Sequence, residues 1–172
     1  MLFNSYIFVF LFFPICLAGY YGLLHLQKKE AAGIFLTAMS FWFYGYFNVS
    51  YLLIMVCSIA GNYLFHRLLS RRQSKALVTA AVAANLGVLF YFKYFDFFLS
   101  TVNTVFGTSA ALRGILLPLG ISFFTFQQIS FVVDTYRGEV KDCPFVAYAL
   151  FVSFFPQLIA GPIVNHSEML PQ

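Results

Sequence analysis

LPLGISFFTFQQISFVVDTYR, residues Leu117 to Arg137, sets polar and charged side chains inside a run that is otherwise apolar enough to cross a membrane. At helical spacing Gly120, Phe123, Gln127, Ser130, Asp134 and Arg137 share one face, while Phe124, Ile129, Val132 and Val133 cover others. Hydrocarbon cannot hydrogen-bond a carboxamide or a carboxylate. Such a stripe must therefore turn toward other helices or a water-filled cavity. Gln127, Ser130, Asp134 and Arg137 are the first candidates for lining a cavity, and Gln157 and His166 further along the chain join them.

Composition sets the class around this stretch. The chain is 61% hydrophobic, 21% aromatic and 9% charged, with 24 Phe and 11 Tyr, far from the usage of a soluble domain. It reads as one all-α, polytopic transmembrane helical bundle over residues 1–172, with five to six spans and a broken or re-entrant last segment. The net charge of +4 comes from basic residues scattered over separate loops, so it signals topology and not nucleic-acid binding. Cys16, Cys57 and Cys143 are odd in number and lack metal-ligand spacing, so neither a disulfide framework, a metal site nor a bound cofactor is expected.

In chain order, Met1 to Gln27 is an uncharged first span with Pro14 as a kink, and it lacks the basic start of a secretory signal. Ala31 to His66 is too long for one crossing, and a turn is expected at Tyr44 to Asn48, giving spans Ala31–Tyr44 and Val49–His66. Ala76 to Phe92 is a fourth span, and its Ala80, Ala83, Ala84 and Gly87 predict close approach of another helix. Phe97 to Phe106 fits either a continued helix or an interfacial one. Leu117 to Arg137 is the fifth span, and Cys143 to Gly161 begins a sixth that Pro156 and Gly161-Pro162 interrupt.

With an outside N-terminus, the inward loops hold Lys28, Lys29, Arg67, Arg71, Arg72, Lys75, Arg137 and Lys141, and the outward loops only Lys93 and Arg113. That asymmetry follows the positive-inside rule. Lys93 with Asp96, and Asp134 with Arg137, have the spacing of ordinary helix-end ion pairs. His25 and His66 sit at span ends where a histidine needs no function. No acid, nucleophile or oxyanion donor accompanies His166, so no catalytic residue is assigned.

Three pieces in their order, PLGISFFTFQQISFVVDTYRG (118–138), FVSFFPQLIAGPI (151–163) and LFNSYIFVFLFFPI (2–15), closely resemble the N-terminal part of the bacterial membrane-bound O-acyltransferases. The similar branch contains the alginate O-acetylation and teichoic-acid D-alanyl transfer proteins. The resemblance implies a tunnel that passes an acyl group, acetyl in the alginate branch, from a donor or carrier on the cytoplasmic side to an acceptor outside. The acceptor would be a hydroxyl of a polysaccharide such as alginate, or a partner that presents it. It implies a bacterial inner-membrane location, the acyl donor as co-substrate, and a general-base histidine in the later half, which this chain does not reach. The chain is accordingly expected to be an inactive fragment on its own. The alternative is a membrane scaffold or transport subunit whose polar stripe serves conduction or assembly.

The loop asymmetry makes a direct prediction. With Cys16, Cys57 and Cys143 replaced by Ala, an engineered Cys at Ser109 labels from outside intact cells and one at Ser74 does not. The opposite pattern would show the threading to be inverted.

Overall fold

The computed structural model describes residues 5–114, 117–140 and 142–160. Its elements run α1 (Phe13–His25) after a π-helical stretch Phe8–Phe12, α2 (Lys29–Phe47), α3 (Val49–Arg71) and α4 (Lys75–Leu89). A second π stretch, Phe90–Tyr94, leads into α5 (Phe95–Phe106), followed by α6 (Ile121–Arg137), α7 (Phe145–Ser153) and α8 (Phe155–Ala160). No strand occurs among the described residues, and the chain is an all-α membrane bundle. Three continuous helices are long and apolar enough to cross a membrane: Phe8–His25, Val49–Arg71 and Lys75–Phe106. α2, with 19 residues, and α6, with 17, run beside them. At the rise of an α-helix these two are about 28 and 26 Å long, close to the thickness of the hydrocarbon core.

Local chemistry explains where the helices stop. The α2–α3 turn is a single residue: Asn48 is extended, and its Oδ1 accepts from Ser50 N–H at 2.8 Å as an N-cap. Gly45 stays helical, so the second span runs to Phe47 and not only to Tyr44. The third span likewise passes His66 and ends at Arg71, since exposed Arg67 and Arg71 carry the helix out into a polar layer. Pro14 has no N–H to donate, and the helix absorbs this with the π stretch just before it, where Phe13 N–H reaches back to Phe8 O. Pro156 breaks the last segment as expected, and Phe154 is the residue that leaves the helix, so that Pro156 falls in the first turn of α8. Gly161 and Pro162 lie outside the described residues.

α6 ends in a Schellman motif. Gly138 N–H bonds Thr135 O at 3.1 Å and Glu139 N–H bonds Asp134 O at 3.0 Å, which requires the left-handed φ of +80° at Gly138. A Cβ at Gly138 would stand 3.3 Å from Gln73 Nε2, so the α3–α4 loop and the end of α6 share one end of the bundle. At the other end Lys93 Nζ lies 3.3 Å from Ser122 Oγ at the start of α6. Arg67, Arg71, Arg72, Lys75 and Arg137 therefore gather at one end, and Lys93 and Arg113 at the other. Asp96 Oδ1 at this end accepts from Arg113 N–H at 3.0 Å. α5 buries no residue, and Phe97 and Phe106 are fully outside the bundle, as suits an interfacial extension of the long helix.

Hydrogen bonding at mid-depth holds α3, α4 and α6 together. Asn62 and Asn85 face each other, Nδ2 to Oδ1 at 3.0 and 2.6 Å, and Asn62 Nδ2 also reaches Gln128 Oε1 at 2.7 Å. Ser58 Oγ donates to the same Gln128 oxygen at 2.7 Å. Pairing Asn85 with Asn62 turns Ala81, Asn85 and Leu89 inward. The small residues Ala80, Ala83, Ala84 and Gly87, expected at a helix contact, consequently face outward, and a Cβ at Gly87 would meet nothing within 4 Å.

The junction generates a stability prediction. Asn62→Leu and Asn85→Leu each lower unfolding stability by about 1–3 kcal/mol, because each strands a buried amide of its partner. The double variant costs clearly less than the sum, as read in a double-mutant cycle of unfolding in detergent. Strict additivity would show that the two amides do not interact.

Candidate functional site

α6 is rotated so that two different polar faces meet two different neighbours. Gln128, Val132 and Thr135 mark the face buried against α3 and α4. Gln127 and Asp134, about a quarter-turn away, are nevertheless 1% and 6% exposed. Phe131, one turn from Gln127, packs its ring 4.5 Å from Tyr148 of α7 and 6.4 Å from Phe151. Gln127 lies on this flank of α6, between Phe124 and Phe131.

The adjacent glutamines have opposite fates. Gln128 Oε1 accepts two hydrogen bonds from α3. Neither amide atom of Gln127 has a hydrogen-bond partner among the described residues. Burying an unpaired carboxamide is costly, so this group calls for water or a ligand in the working protein. Ser130 is half-buried and its Oγ donates to Asp134 Oδ2 at 3.3 Å. Arg137 is exposed at the end of the helix. The structure thus joins Ser130 to Asp134 and keeps Gln127 on the same flank. Gln157 is buried on α8, which packs through Phe155 onto Phe12 and Phe43, near α2 and the first helix. His166 lies outside the described residues.

Several polar residues that the sequence reading passed over turn out to be central. Asn62 and Asn85 each stand alone in an apolar span, and a lone amide at mid-span depth is itself a signal for an interhelical partner. His66, read as a span-end residue, is 1% exposed, with Nδ1 2.9 Å from Thr135 Oγ1. The Thr135 hydroxyl gives its proton to Phe131 O at 2.8 Å, so it accepts from His66, which assigns the proton to Nδ1. No nucleophile or carboxylate hydrogen-bonds this imidazole among the described residues. In the α6–α7 loop, burial pushes the Cys143 thiol up to about 11, so it is protonated near neutral pH. Among the described residues no three His, Cys, Asp or Glu side chains group to hold a metal.

The described helices form a polytopic bundle in which α6 bonds α3 and α4 through Gln128 and Thr135 and carries buried Gln127 and Asp134 on an adjacent flank. The chain is 37% identical over 202 residues to a peptidoglycan O-acetyltransferase of Helicobacter pylori, a match covering 100% of this chain and 38% of that protein. It is 35% identical over 182 residues to a probable alginate O-acetylase of Pseudomonas aeruginosa, covering 100% and 34%, and 34% identical over 182 residues to one of Azotobacter vinelandii, covering 100% and 36%. No family model and no solved structure matches. The chain is thus similar along its whole length to bacterial O-acetyltransferases, and it spans little more than a third of the length of these curated relatives.

The contrast between the two glutamines is measurable. Gln128→Leu lowers the unfolding midpoint in detergent, because Ser58 and Asn62 lose their shared acceptor. Gln127→Leu leaves the midpoint unchanged or raises it, since no bond is lost. Equal destabilisation by both would refute the division of the helix into a paired and an unpaired face.

Proposed function

We infer that this chain is the N-terminal part of an O-acyltransferase that carries an acetyl group through the bacterial inner membrane to hydroxyls of an extracytoplasmic polysaccharide. The observation that carries the reading is similarity along the whole chain to O-acetyltransferases of peptidoglycan and alginate. Buried, unpaired Gln127 and buried Asp134 on one flank of α6 support it, because an acyl path needs polar side chains at depths where lipid tolerates none. Alginate is the first acceptor to test, and peptidoglycan the second.

In this reading the basic end of the bundle is cytoplasmic and faces the acyl donor, and the N-terminus is outside. The donor's bond to the acyl carbon breaks as an ester bond forms to the acceptor oxygen, and the acceptor's proton passes to a general base. The family resemblance puts that base, a histidine, in the later part of the fold. The roles left to this chain are to wall the path, exclude lipid and hold α6 in register. His166 is retained as a candidate wall residue alongside Gln127, Ser130, Asp134, Arg137 and Gln157.

Two outcomes test this assignment. The 172-residue chain expressed in cells lacking the full-length enzyme transfers no acetyl group, as read by O-acetyl content of alginate and of peptidoglycan. Within a full-length enzyme, Gln127→Leu and Asp134→Asn keep membrane abundance near normal and depress O-acetylation by tenfold or more, on the order of a lost transition-state hydrogen bond or a disturbed path. Full activity in both variants, or loss of the protein in both, would remove the path-wall role.

A further inference from the structure

α2 and α7 lie side by side and run in the same direction. A Cβ at Gly33, near the start of α2, would stand 3.9 Å from Val146, near the start of α7. Further along, the rings of Phe43 and of Phe155, just past the end of α7, are 5.3 Å apart. Both helices begin at the basic end, since α2 leads into α3, whose last turn holds Arg71, and α7 follows the end of α6 at Arg137. No side chain caps either helix among the described residues, and the first N–H groups bonded within them are those of Ala32 and Tyr148. The first-turn N–H groups of two helices thus emerge together at this end.

Two hollows meet there. One, of about 440 Å³, sits at the α1–α2 turn and is lined by Gln27, Lys28, Lys29, Glu30 and Ala31. The other, of about 480 Å³, is a groove between α2 and α7 walled by Gly33, Ile34, Val146, Ala147 and Leu150. Lys29 and Glu30 line both, so the polar hollow opens into the apolar groove. From Lys29 to Ile34 is about 8 Å along α2, and from Pro144 to Leu150 about 9 Å along α7. That matches a headgroup layer of roughly 5–8 Å beside the hydrocarbon core, with the first methylenes of a chain below it.

The charges decide the occupant. Lys28, Lys29 and Glu30 are exposed, and none of them forms an ion pair among the described residues. Consecutive residues stand about 100° apart around a helix, so Lys29 and Glu30 hold opposite charges on one rim without neutralising each other. A ligand of a single sign would meet its like as well as its opposite here. A headgroup with both signs suits the whole rim, its phosphate on the lysines and helix N-termini and its ammonium on the carboxylate. The groove fixes where that headgroup comes from, because a soluble phosphate ester would leave its apolar walls uncovered and an acyl chain covers them. We propose that the α1–α2 turn and the α2–α7 groove bind one phospholipid with an ethanolamine headgroup, its phosphate on Lys28 and Lys29, its ammonium on Glu30 and an acyl chain past Gly33 and Leu150. No α6 residue lines either hollow, so the site stands apart from the acyl-transfer reading.

The test compares lipids on one chain. The 172-residue chain is reconstituted in nanodiscs of equal parts phosphatidylethanolamine, phosphatidylglycerol and phosphatidylcholine, and native mass spectrometry identifies the last lipid it retains in detergent. The wild type keeps one phosphatidylethanolamine in preference to the other two by about fivefold, the size of one interfacial charge contact; choline has no N–H to donate to Glu30. Glu30→Gln still holds a lipid but no longer prefers phosphatidylethanolamine to phosphatidylglycerol. Lys28→Gln/Lys29→Gln lowers retention of every phospholipid, again by about fivefold or more. Gly33→Leu fills the groove and removes the lipid whatever its headgroup, with helix content checked by circular dichroism. Should Gly33→Leu fail to fold, the charge variants, at exposed positions, decide the matter. Excess soluble glycerophosphoethanolamine leaves the lipid in place. Retention without headgroup preference, a preference that survives Glu30→Gln, or retention unchanged in Lys28→Gln/Lys29→Gln overturns the site. So does a lipid that stays on folded Gly33→Leu, or its displacement by the soluble headgroup.

Discussion

Hydrocarbon supplies no hydrogen bonds, and the bundle is arranged around that constraint. A buried carboxamide in a spanning helix must find its partner on another helix, and Asn62, Asn85 and Gln128 find one another. The rotation of three helices follows. α3 turns Asn62 inward with Met55, Ile59 and His66, α4 turns Asn85 inward with Ala81 and Leu89, and α6 turns Gln128 inward with Phe124, Phe131 and Thr135. The His66–Thr135 contact repeats the device nearer the basic end, one turn on along α3 and two along α6. With α6 pinned on this side, Gln127 lies on the adjacent flank, and its amide atoms have no hydrogen-bond partner among the described residues.

Much of this was legible in the sequence, and the reasons for the rest are physical. Uncharged runs, the basic loops, the Asn48 turn and the Pro156 break are local properties, and each appears in the fold at or within a few residues of its expected place. Rotation about a helix axis is not local. Phe side chains occur all round α6, so periodicity marks the polar stripe through Gln127, Ser130 and Asp134 without revealing that the helix packs on the adjacent face through Gln128 and Thr135. The small residues of α4 misled for the same reason. Close packing through Ala80, Ala83, Ala84 and Gly87 competes with pairing Asn85 to Asn62, and the amides prevail because an unpaired one costs more than a lost van der Waals contact. Of the candidate site, the α6 members could be read from spacing alone. The Asn62, Asn85 and His66 partners could not, because only the packed structure brings α3 and α4 against that helix.

The two faces of α6 fit a division of labour in a membrane acyltransferase. A path for an acyl group has to be polar enough to admit it, yet its walls must not collapse onto their own unsatisfied groups. In the proposed reading, a separate hydrogen-bonded face serves both needs, since the junction with α3 and α4 through Gln128 Oε1 fixes the backbone of α6. Arg67, Arg71, Arg72, Lys75 and Arg137 cluster at one end of the bundle, and the opposite end carries only Lys93 and Arg113 among the described residues.

The most direct measurement of this account is a cysteine scan along α6 in membranes, using a small, water-soluble, membrane-impermeant thiol reagent on inside-out vesicles in a background lacking the native cysteines. Gln127→Cys, Ser130→Cys and Asp134→Cys should react, while Gln128→Cys, Val132→Cys and Thr135→Cys stay protected against α3 and α4. Uniform protection of the first three, or reactivity on the junction face, would contradict the claim that one flank of this helix lines a polar path while the other locks the bundle.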